Sequence, residues 1–242
     1  ISLGDSNTPI VLTANTTVDG NTAGNITLGG TVNGAFALTL NTTGTTTLSA
    51  VIGGTTALAS ITTNTGGTVA INGGAVTTTG SQTYNDAATL GANTTLTTTS
   101  NGNISFGSSI SNSSAKNLTL DTGLTSGTIS VTGAVGSGTA LGTLTITKSA
   151  GTTFSSTVNA ATIALTDTKA STNITFSDNV TATTGLTVSA GTGAYNVVFN
   201  GASNTIAGAT TFSNTGSVTL GNDATDSIQF TGGVVATAPS QV

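Results

Sequence analysis

The chain has eight acidic residues, all Asp, and three basic ones, all Lys; Glu, Arg, His and Cys are absent. General acid–base work would therefore fall to Asp, Lys or Tyr. The densest run of oxygen ligands is Asn222-Asp223-Ala224-Thr225-Asp226. Calcium takes roughly 6–8 oxygens, so Asp223 and Asp226 are where a Ca2+ ion would be assigned. The glycine-rich Asp nonapeptide of calcium-binding β-rolls is absent, and a plain Asn/Asp turn is the preferred expectation. Asp167, Asp178 and Lys148 each stand four residues after the start of a short apolar strand core, which suggests a shared corner type. They read as solvated corner residues without catalytic work, and the chain is expected not to be an enzyme. Lys116, Lys148 or Lys169 could crosslink to Asn only beside a buried acid. Asn-x-Ser/Thr sequons at Asn15, Asn25, Asn41, Asn93, Asn103, Asn112, Asn117, Asn173 and Asn179 are glycan acceptors in form. This much Asn and Thr produces them by composition alone.

The elements that hold these groups follow from the rest of the composition. Charged residues are 5% of the chain, against about 25% in ordinary soluble domains. The surface must then be built of Thr, Ser, Asn and Gly. Strong helix formers are scarce, while Thr, Val and Ile favour strands and the 33 Gly serve turns. The expectation is an all-β chain. A net charge of −5 without Arg argues against nucleic acid. No apolar run approaches the roughly 18 residues of a membrane helix. Nine aromatics, seven Phe and two Tyr, are too few to girdle a membrane barrel.

Four apolar-x-apolar cores set the rhythm: Ile163-Ala164-Leu165, Ile174-Thr175-Phe176, Leu186-Thr187-Val188 and Val197-Val198-Phe199. Two inward residues flanking an outward one mark a half-buried strand. Their regular recurrence marks a repeating array. Similar dyads run from Ile26 to Phe230 without a linker, so residues 1–242 read as one continuous unit, a segment or subunit of a longer fibre. The phrase Gly53–Ile61 returns at Gly136–Leu144, which adds a longer repeat. A parallel β-solenoid of 20–22 residues per coil, made of two half-turns, accounts for the narrow apolar dyads. It predicts 11 coils and a rod roughly 50 Å long. An antiparallel β-sandwich array is the alternative. Thr27, Thr39, Thr119, Thr145, Thr175, Thr187 and Thr219 should face outward, and Asn side chains should ladder between coils. Thr-rich faces raise ice binding as a rival function, although Thr-x-Thr does not recur once per coil along the sequence.

The stretch from Gly74-Ala75-Val76-Thr77 through Tyr84-Asn85-Asp86 to Thr94-Thr95-Leu96 resembles a unit of the β-strand-repeat regions of large bacterial surface proteins. So do Gly29–Ala35 and Gly53–Ile61. These belong with filamentous-haemagglutinin-like adhesins and autotransporter passengers. The resemblance covers most of residues 25–165. It implies a right-handed parallel β-helix in a secreted or cell-surface bacterial fibre, sheath or adhesin stalk. Such a protein is non-catalytic and associates with its own copies, end to end or with neighbours. A region binding a host or surface ligand is the alternative role.

Overall fold

The computed structural model describes residues 1–242, and its strands pair in parallel from one coil to the next. Each coil has three sides. On the first, Ser2–Leu3, Ile26–Leu28, Thr45–Leu48, Thr68–Ile71, Ala87–Leu90 and Ile110–Asn112 stack in order. On the second, Ala75–Thr78, Thr94–Thr98 and Leu118–Asp121 stack and lead into the longer strands Leu141–Lys148, Val158–Leu165 and Val180–Val188. Those longer strands also extend back over the first side, where Val158 pairs with Val135 and Val180. The third side is the most regular, with ten strands from Thr16–Asp19 to Val218–Leu220. The fold is a β-solenoid, not a sandwich.

Two details of the expected coil are corrected. Partners on the third side are separated by 21 residues at Ile61↔Gln82 and by 25 at Ile104↔Ile129, so the coil length varies and in places exceeds the expected 20–22 residues. Ten strands on that side mean ten coils where eleven were expected. The 11-residue beat of residues 163–199 alternates between the second and third sides and steps over the first. Val158-Asn159-Ala160 and Val180-Thr181-Ala182 occupy that first side with small residues.

Alternation within each strand builds the core. On the third side one inward rank is Leu38, Ile61, Gln82, Ile104, Ile129, Thr152, Ile174, Val197 and Val218. The other inward rank carries the aromatics. Phe154, Phe176 and Phe199 stack with centroids 5.2 and 5.0 Å apart and planes within 10°. Tyr84 and Phe106 stack at 4.9 Å. Parallel pairing in constant register places like residues directly above one another. All these rings belong to one continuous cluster of 46 buried apolar residues. Each fully buried Leu, Ile, Val or Phe contributes roughly 1.5–3 kcal/mol, spread evenly along the axis.

The longer repeat has a local explanation. Gly53 (φ 71°) and Gly136 (φ 69°) are both left-handed. Each opens a loop excursion within one side, between the buried pairs Ile52/Leu58 and Val135/Leu141. The first lies on the second side and the other on the first side. The phrase therefore encodes one loop device used twice, not a repeating block of coils.

Candidate functional site

Asp223 and Asp226 lie in the exposed turn between Val218–Leu220 and Ser227–Phe230. Oδ1 of Asp223 accepts the Thr225 amide at 2.7 Å and the Thr225 hydroxyl at 2.6 Å. Those hydrogen bonds hold its carboxyl below the usual carboxylate range. Oδ2 of Asp226 accepts the amides of Asn222 at 2.7 Å and Asp223 at 3.2 Å. One oxygen of each carboxylate is thus spent on organising the turn. The structure gathers no group of three or more acidic, His or Cys residues around a common point. As ligands for Ca2+, Asp223 and Asp226 stand as a pair.

The corner charges divide. Lys148 is exposed, and Asp178 accepts the Asn179 amide at 2.7 Å. Asp167 is buried, contrary to the expectation of a solvated corner. Its carboxylate receives the Thr192 amide at 3.1 Å and the Thr192 hydroxyl at 2.9 Å. Asp86, which lies in the stretch resembling surface-protein repeats and has no site role read from the sequence, is 1% exposed. Its Oδ1 accepts the Gly67 amide at 2.7 Å, while its Oδ2 has no partner. Loss of water pushes its carboxyl above the usual range, against the opposing pull of those hydrogen bonds. Both Tyr rings are internal. Tyr84 donates to Gln82 Oε1 at 3.0 Å and Tyr195 to the Ser189 carbonyl at 2.6 Å, and burial pushes both phenols up.

The sequons have a structural meaning. In Asn25-Ile26-Thr27, Asn103-Ile104-Ser105, Asn117-Leu118-Thr119 and Asn179-Val180-Thr181, the middle residue is buried at the start of a strand. The hydroxyl residue faces outward, and the Asn sits at the preceding corner. There its Oδ1 accepts an amide from the next coil: Thr45, Thr128, Thr143 and Ser203, each at 2.8–2.9 Å. Asn15 and Asn93 do the same for Ala37 and Asn117. The expected ladder of Asn on Asn is seen where Asn196 donates to Asn173 at 2.9 Å. Elsewhere the clasp is side chain to backbone. Replacing Asn117 by Ala should cost about 1 kcal/mol, read from the urea midpoint at unchanged slope. Asn117→Asp, which keeps the acceptor, should recover most of that loss.

One surface is uniform over the whole rod. The central outward residues of the third side, in register, are Thr17, Thr39, Thr62, Thr83, Ser105, Ser130, Thr153, Thr175, Val198 and Thr219. Nine of these ten carry a hydroxyl, although Thr and Ser make up only about a third of the chain. The column was invisible along the sequence because corner lengths vary from coil to coil. Only pairing in register aligns it. The interval between neighbours is one coil, about 4.8 Å. Thr χ1 is restricted on a strand, so the hydroxyls are held in a fixed row. Beside Ser130, Thr153 and Thr175 the face dips into a depression of about 450 Å3 lined by ten residues, of which Ile129 alone is apolar.

Compared with known proteins, the chain matches no family model, no curated protein and no solved structure. No helix is long and apolar enough to cross a membrane.

Proposed function

We propose that this chain is a structural rod, part of an extracellular or cell-surface bacterial fibre, sheath or adhesin stalk, which lengthens by adding coil upon coil. One observation carries the reading. All six exposed large apolar side chains lie at the two ends of the stack. Leu220, Val234, Val235 and Val242 are at one end, Ile1 and Val11 at the other. Further coils, whether from the same chain or from another copy, would cover the inward-ranked Leu220 and Val234, though not the outward Val11 and Val235, and would pair the open strand edges beside them. The low charge supports close approach of identical rods, since little repulsion opposes it. Resemblance to bacterial surface repeats supports the location.

The test is electron microscopy and fibre diffraction of the purified chain over rising concentration. The expected result is filaments longer than a single rod of roughly 50 Å, with an axial reflection near 4.8 Å. Rods of single length at every concentration, sedimenting as monomers, would sink the proposal that this chain extends by self-association.

A further inference from the structure

We infer that the third side of the rod binds a neutral polysaccharide chain lying along the rod axis, with the depression at Gly151 as its deepest subsite. The depression arises because Gly151 presents no side chain between Thr128 and Asn173, its neighbours in the same rank on the coils before and after. Its floor is the hydroxyl column at Ser130, Thr153 and Thr175. None of these three hydroxyls is engaged in a hydrogen bond within the protein, so each is free to donate and to accept.

The lining selects the chemistry of the ligand. No charged residue contributes to it, so an anion finds no counter-charge and a cation no carboxylate. Ile129, its one apolar residue, is 1% exposed, so an apolar ligand finds no wall to bury against. A neutral ligand whose surface is itself hydroxyl matches donors and acceptors at every contact, and a carbohydrate is such a ligand. The column adds direction. Equivalent hydroxyls recur once per coil from Thr17 through Thr175, and Val198 interrupts the column on the coil after the depression. A pyranose chain advances by a similar length per sugar. A chain parallel to the axis over that stretch therefore meets the same contact at each residue, and weak single contacts add along its length.

The experiment uses the whole chain and four neutral hexasaccharides as probes: cellohexaose, chitohexaose, maltohexaose and xylohexaose. Saturation-transfer NMR should detect at least one with a millimolar Kd. The variant Ser130→Ala/Thr153→Ala/Thr175→Ala should weaken that binding at least tenfold. The matched variant Thr27→Ala/Thr47→Ala/Thr89→Ala, on the first side, should leave it within twofold. Both triple variants should melt close to the parent, since all six side chains point outward. Thr153→Lys, which plants a charge on the floor, should abolish binding with the melting point preserved. Silence from all four probes would overturn the inference, as would binding that survives the third-side triple variant. Thermal hysteresis that depends on Ser130, Thr153 and Thr175, without sugar binding, would overturn it in favour of an ice surface.

Discussion

Phe176→Ala should lower the unfolding free energy by about 3–5 kcal/mol, the largest loss expected from any single truncation in the rod. Phe176 is fully buried and is the middle ring of a stack of three, with Phe154 on one side and Phe199 on the other. Removing it takes away both ring contacts and leaves a cavity between coils that parallel pairing holds at fixed spacing. The backbone cannot close that gap without breaking ladders on all three sides. Because each coil touches only its neighbours, the damage is local in position and global in consequence. Coils on either side keep their own interfaces but lose the contact that couples them. Urea unfolding should therefore show a lower midpoint together with a reduced slope or a second transition. Phe230→Ala, at a half-buried ring in the final turn, should cost clearly less. Equal losses at the two positions would contradict an evenly coupled stack.

Acidification should stabilise the rod before it harms it, and Asp86 is the reason. Its folded-state pKa lies above the unfolded value of about 3.9. Between those two values the folded chain binds more protons than the unfolded one, so stability falls as pH rises through the folded pKa. The protonated form is the one that suits a buried carboxyl with an unpartnered oxygen. Below the unfolded value the sign reverses. Asp5 and Asp223, whose folded values are lowered by hydrogen bonds to Asn7 and Thr225, lose their contribution as pH falls through those values. Stability should peak in mild acid. Asp86→Asn keeps an acceptor for the Gly67 amide and removes the titration. The variant should be flat from neutral pH down to about pH 4, the unfolded value, over which range the parent gains stability. Chemical denaturation at four pH values reads both curves. A parent profile as flat as the variant's would show that Asp86 is adequately solvated.

Much of the fold is legible because the inward dyads are large and their partners small. Ile26/Leu28, Leu118/Leu120, Ile174/Phe176 and Val197/Phe199 could be assigned from alternation alone, and each forms a buried-exposed-buried strand. The first side of the coil is not legible where it is lined by Ala160 and Ala182, which carry too little apolar surface to mark a strand. Thr hid other inward positions. Thr46, Thr63, Thr94 and Thr152 are buried, yet a β-branched hydroxyl residue fits either surface of a strand. Burial of Asp86 and Asp167 was hidden for a different reason, since their amide and hydroxyl partners lie 19 to 25 residues away. The hydroxyl column shares that difficulty. Its members are all visible as residues, but only the coil register makes them neighbours.

The corner clasps give the rod a direction in time as well as in space. Asn25, Asn103, Asn117 and Asn179 each accept an amide from a residue 20 to 26 positions further along the chain. A coil laid down first thus presents acceptors that only later residues can fill. A chain folding from its N-terminal end would find the next docking point already in place at these turns, whereas Asn64, Asp86 and Asn204 accept amides from Thr42, Gly67 and Val180, one coil earlier. The reach needed is one coil, so each addition closes a loop of nearly constant, short length. Assembly can then proceed as a zipper driven from the finished end, and each captured coil hinders the strand behind it from sliding back.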